Sequence, residues 1–134
     1  MPYRIFKLIA GILGLCGVAF GAFGAHALKA QLVASGQIET WNTAVLYHLI
    51  HAVALLAVSM GPAANARPTD SRFLAIASAC WAVGVVLFSG SLYALALGAP
   101  HWLGPVTPLG GLAFLIGWGC VLANGLKSPT LHRD

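Results

Sequence analysis

Four apolar stretches, residues 5–28, 40–60, 71–97 and 106–126, fill most of this chain and exclude any fold that must offer a polar face to water. Each reaches the roughly 20 residues that an α-helix needs to cross about 30 Å of hydrocarbon. Inside lipid the backbone has no water to bond, so a spanning segment must close its hydrogen bonds within itself or around a closed barrel. No barrel-type alternation is visible, and four transmembrane helices are the expected solution. Composition bears this out: 7% of residues are charged and 59% hydrophobic, against about 25% charged in a soluble domain. The 134 residues are expected to form one integral membrane domain, an all-α polytopic four-helix bundle.

The net charge of +4 is read through topology. Lys and Arg accumulate on the cytoplasmic side of short membrane loops. With the N-terminus inside, Arg4, Lys7, Arg67, Arg72, Lys127 and Arg133 are cytoplasmic and Lys29 alone is outside. Both termini are therefore expected to face the cytoplasm of an inner (plasma) membrane. These scattered cations make no nucleic-acid surface. Arg4 and Lys7, the apolar run and the "AHA" at 25–27 also have the look of a cleavable leader. The run is longer than a usual leader core, so retention as the first helix is the expectation. Cys16, Cys80 and Cys120 lie far apart inside apolar runs, form no CxxC pair, and read as small buried hydrophobes.

Loops follow from turn residues. "GPAANARPTD" separates the second and third stretches, and "GAPHWLGP" the third and fourth. With both termini inside, "FGAFGAHALKA" (20–30) and the start of the second helix share the outer side. The outer ends of helices three and four lie there too, so most of the unusual chemistry gathers in the outer half.

Gly14, Gly17, Gly21 and Gly24 form one ridge along the first helix. Such a ridge lets a neighbour approach closely, which is how membrane helices gain packing energy. Gly110, Ala113 and Gly117 offer a matching set on the fourth helix, and a homodimer face is the alternative use. In "YHLIH" of the second helix, His48 and His51 stand three apart, at depths of roughly 12 and 16 Å counting from Thr40. Ionisable groups at such depth face a bundle interior or a wet cavity. Neutral imidazoles bonded to neighbouring helices are the expected arrangement. A metal would need two more ligands that nothing nearby supplies, so no metal and no cofactor are expected. His26 and Glu39 share the outer side, where a contact between them would pin two helix ends. Thr40 and Asn42 are candidate caps of the second helix, and Trp41 and Trp102 candidates for an aromatic belt. In "FSGSLY", Ser89, Ser91 and Tyr93 can bond within or across helices. Ser91 lacks the sharp turn, base and oxyanion hole of a nucleophilic serine. No phosphate-binding loop, dinucleotide fingerprint or carboxylate pair occurs.

"GAFGAHALK", "TAVLYHLIHAVALL", "LFSGSLYALAL" and "LGPVTPLGGLAFLIGW", in this order and spacing, resemble the YgdD-like family of small membrane proteins, a domain of unknown function with relatives in bacteria and eukaryotic organelles. The resemblance covers all four helices. It implies a four-helix inner-membrane protein, with no activity and no established catalytic residues attached. His26 and His51 match the family pattern, whereas His48 stands where glutamine is usual.

Two functional readings follow. The first is a non-catalytic accessory or packing subunit, or an interaction protein, held in the lipid bilayer by a larger membrane complex or as a homo-oligomer. The alternative is a binding or transport protein whose polar pocket, formed by His26, Glu39, His51, Ser91 and Tyr93, opens outward to a small molecule, quinone or lipid. An embedded enzyme is the less favoured reading.

Overall fold

A computed structural model of the chain describes residues 2–60 and 68–127. Helix α1 (Pro2–Ala25) leads through a turn into a short α2 (Lys29–Ala34), followed by α3 (Ile38–Ser59). Helix α4 (Pro68–Gly84) runs through one π-helical turn (Val85–Ser89) into α5 (Gly90–Ala96). A 3₁₀ turn (His101–Leu103) precedes α6 (Val106–Lys127). The described residues contain no strand. Most of the loop expected at 61–70, along with Arg67 and Arg133, lies outside the described residues.

Among the described residues, four spans are long and apolar enough to cross a membrane: Arg4–Ala25, Ile38–Ser59, Arg72–Ala96 and His101–Lys127. The shorter two have 22 residues, about 33 Å of helix at 1.5 Å per residue. Large apolar side chains cover the outside, among them Leu15 (74% exposed), Leu115 (70%) and Leu122 (66%). In water such a surface would be an aggregation hazard; against lipid tails it has its proper solvent.

Helix α1 packs mainly on α3, and α4 on α6; α3 and the α4–α5 helix join the two pairs. The glycines of α1 and α6 are thus not partners of one another. Gly17, Gly21 and Gly24 face Leu49, Val45 and the Trp41 indole of α3, while nothing lies within 4 Å of a side chain placed at Gly14. On α6, Gly110 lies against the backbone of Phe88 and Gly117 against the Trp81 indole. What the small residues admit is mostly bulky side chains, two of them tryptophans, rather than a second glycine ridge.

The buried row of the α4–α5 helix explains its π turn. Ala77, Trp81, Val85, Ser89 and Tyr93 are all buried at a strict spacing of four. In an α-helix of 3.6 residues per turn such a row drifts about 40° per step. The wider i→i+5 turn at 85–89 takes up part of that drift, keeping Ser89 and Tyr93 on the face that Trp81 occupies.

The end of the bundle that carries α2 departs most from the sequence reading. Helix α1 stops at Ala25 rather than residue 28, and 29–34 form a helix where a loop was expected. Six residues are too few to show a periodic pattern. Leu32 anchors α2, with no exposure, in a cluster with Trp41, Ala44, Tyr93 and Ala96. Helix α2 ends in a Schellman turn: Gln37 N–H donates to the Leu32 carbonyl (2.8 Å) and Gly36 N–H to the Val33 carbonyl (3.1 Å). Helix α5 closes the same way, Ala99 N–H on the Ala94 carbonyl (2.9 Å) and Gly98 N–H on the Leu95 carbonyl (3.0 Å). Gly36 (φ +69°) and Gly98 (φ +92°) hold the left-handed positions that such turns need. Gly98→Val is expected to lower stability by about 1–2 kcal/mol, read as a fall in the thermal midpoint in detergent.

The α2 turn also hands the chain straight into α3, which starts at Ile38 with Gln37 at its N-cap and no side-chain cap bond. Thr40 and Asn42 therefore lie inside the helix and are not its caps. The expected His26–Glu39 contact is likewise absent among the described interactions, because α2 is inserted between the two residues; both are exposed. Trp41 is not a belt residue. It is 2% exposed, and its indole N–H donates to the Phe20 carbonyl at 3.0 Å. Trp102 is 71% exposed, as an interfacial tryptophan would be.

Candidate functional site: the histidine face of α3 and its two cavities

His48 and His51 are 3% and 4% exposed. Three residues apart on α3, they look into different neighbourhoods. His48 lies among Phe20 of α1 and Tyr93 of α5, with centroids 6.2 and 6.0 Å away. Its Nδ1 is 3.3 Å from the Tyr93 hydroxyl. Its Nε2 is buried, and the ring also interacts with the Leu13 backbone of α1.

His51 is closed on both sides. Its Nδ1 lies 2.8 Å from the Tyr47 carbonyl, and the Trp118 indole N–H donates to its Nε2 at 3.1 Å. A carbonyl only accepts and an indole only donates. The two contacts therefore assign one form, the neutral imidazole with its proton on Nδ1. A second proton on Nε2 would point at another N–H. The ring also stacks on Phe114 of α6, at 3.6 Å between centroids and 7° between planes.

Around His51 the α3 and α6 backbones stay apart and side chains bridge them. A groove of about 530 Å³ opens there, walled by Tyr47, Phe88, Phe114, Leu115 and Trp118 with His51 at its floor. Tyr47 and Phe88 rings meet at 4.7 Å between centroids, so the wall is aromatic on both sides. A second cavity of about 480 Å³ lies at the end of the bundle that carries α2, between the two Schellman turns. It is lined by Gln31, Ser35, Gln37, Thr40 and His101, and by residues 95–99.

The five residues read as one polar pocket do not come together. His26 is exposed on the turn after α1, and Glu39 on the first turn of α3. Ser91 is buried; its hydroxyl donates to the Phe88 carbonyl (2.9 Å) and accepts from Thr107 (2.7 Å). Tyr93 belongs with His48, Phe20 and Trp41. Of the five, His51 alone lines the groove. The remaining interior hydroxyls also turn inward: Ser59 donates to the Leu56 carbonyl (2.7 Å) and Ser78 to the Leu74 carbonyl (2.8 Å). Ser89 is fully buried, its hydroxyl unpartnered among the described residues. No three His, Cys, Asp or Glu side chains gather as a metal site among the described residues. The cysteines are free and half-buried.

The groove aromatics and the Gln and His residues of the second cavity were not picked out from sequence. Phe114 and Trp118, four apart on α6, are a one-face pair, but only packing shows that this face meets His51. Gln31, Gln37 and His101 are polar residues near helix ends, an ordinary place for them.

Four apolar spans, a lipid-type surface and an interior whose polar groups largely bond one another define a polytopic α-helical membrane protein. A family model described as "Protein of unknown function (DUF423)" matches residues 20–111. The chain is 36% identical to the UPF0382 membrane protein YwdK of Bacillus subtilis, over 92% of this chain and 98% of the relative. It is 37% identical to a UPF0382 membrane protein of Haemophilus influenzae, over 98% and 100%. It is also 38% identical to the UPF0382 inner membrane protein YgdD of Escherichia coli, over 95% and 93%. The chain belongs to this DUF423 family of UPF0382 membrane proteins, in agreement with the resemblance read from its motifs. No solved structure matches it.

Proposed function

We propose that this chain is a non-catalytic interaction protein of the inner membrane, an accessory subunit that receives a transmembrane helix of a larger complex in the α3–α6 groove. The observation that supports this most is the closure of His51. Both ring nitrogens are occupied by Tyr47 and Trp118, so the groove floor offers no free polar group to a small polar ligand. Its walls offer aromatic faces, and Gly111 beside them leaves room for the close approach that membrane helices use in place of a hydrophobic drive. The Lys and Arg bias supports an orientation with both termini cytoplasmic, and the four spans support a single integral domain.

A second reading rests on the outer cavity, whose Gln31, Ser35, Gln37, Thr40 and His101 would suit a small polar molecule arriving from outside. Photo-crosslinking separates the two. A photoreactive residue at Leu112, on the groove wall, is expected to give a discrete protein adduct in native membranes, and one at Gln37 is not. Lipid-sized adducts alone from Leu112 would remove the accessory reading. A small-mass adduct from Gln37 would then favour the binding reading.

A further inference from the structure

We propose that the end of the bundle where α4 begins and α6 finishes holds a site for a phosphate-bearing anion, filled by the headgroup of an anionic phospholipid. Arg72 on α4 and Lys127 on α6, both exposed, flank a cavity of about 260 Å³ that Phe73 and Ile76 complete. The Lys127 ammonium sits 4.5 Å from the Phe73 ring centroid. That cation–π contact holds the charge at the cavity while leaving its N–H donors free to bond an anion. The guanidinium beside it offers the paired donors that match phosphate oxygens.

Two cations facing one cavity repel each other, and an anion between them converts that repulsion into attraction. Glu39, the acidic residue whose side chain is described, lies at the opposite end of α3. Ile76 stands one helical turn from Arg72 on the same face and is 48% exposed. It continues the cavity wall toward the hydrocarbon, where an acyl chain would follow its headgroup. This apolar continuation favours a lipid over free phosphate. The site is independent of whatever occupies the α3–α6 groove.

Native mass spectrometry of the full chain, titrated with phosphatidylglycerol and with phosphatidylcholine of the same chains, tests it. The wild type is expected to retain phosphatidylglycerol preferentially. Arg72→Gln and Lys127→Gln are each expected to weaken that binding by about fivefold, and the double variant to abolish the preference. Lys29→Gln, a cation at the other end of the bundle, is expected to leave it unchanged. Equal retention of the two lipids, or an equal loss in Lys29→Gln, would overturn the site. Displacement of bound phosphatidylglycerol by millimolar inorganic phosphate would overturn the lipid assignment and make free phosphate the ligand.

Discussion

Replacing Gly110 with alanine is expected to cost about 2–3 kcal/mol of stability, although alanine is the better helix former by about 1 kcal/mol in water. The reason is what the new methyl group would meet. A Cβ at residue 110 would lie against the backbone nitrogen of Phe88, 2.8 Å from its Cα and 2.7 Å from its Cβ. A flexible side chain could swing away; a backbone inside the π turn cannot, so α6 and the α4–α5 helix would have to part. Gly14→Ala and Gly119→Ala are the matched controls, since nothing lies within 4 Å of either position. They are expected to be neutral or stabilising by up to about 1 kcal/mol. Thermal unfolding in a mild detergent reads all three. If Gly110→Ala melts at or above the wild type, the close approach of α6 to Phe88 is wrong.

The second large effect centres on His51. His51→Ala removes a ring stacked on Phe114 and leaves the Trp118 N–H without its acceptor. The cavity and the unmet donor together are expected to cost about 3–5 kcal/mol. His51→Phe refills the space but still strands the Trp118 N–H, and should cost about 1–3 kcal/mol. The expected order of stability is therefore wild type, His51→Phe, His51→Ala. Nitrogen-15 NMR of labelled histidine gives a second reading, with the proton of His51 on Nδ1 and Nε2 as the acceptor. A proton found on Nε2 would break the assignment, as would a His51→Ala variant as stable as His51→Phe.

Legibility in the sequence followed the range of the interactions. The spans could be read because a membrane imposes length and apolarity on every crossing segment, a constraint local to each helix. Short-range geometry was harder. The Schellman turns at Gly36 and Gly98 carry an ordinary glycine signal, and α2 is too brief to show a period, so residues 29–34 read as loop. The misreading of Thr40 and Asn42 as caps came from the same place: once α2 forms, its turn sets the start of α3. Trp41 looked like a belt residue because belts and cores use the same side chain. Gly24 and the Phe20 carbonyl, both on another helix, decide between them.

The polar residues show the limit most clearly. His26, Glu39, Ser91 and Tyr93 fall toward one end of the helices and His51 just past the midpoint of α3, and position along a helix can be counted from sequence. Azimuth around the bundle cannot. His48 and His51 are one turn apart, yet one meets Tyr93 and the other meets Phe114 and Trp118. That division depends on how α3 is rotated against the α1, α4–α5 and α6 helices packed around it.

By itself, then, the sequence determined four helices long and apolar enough to cross a membrane, and each residue's position along them, because hydrocarbon acts on each segment separately. The tertiary structure alone decided which helices pair, which glycines admit a tryptophan, where the α3–α6 groove opens and that His51 is closed as a neutral donor–acceptor. Those outcomes are set by contacts between residues as far apart in the chain as His51 and Trp118, and no local pattern of residues encodes the rotation of one helix against another.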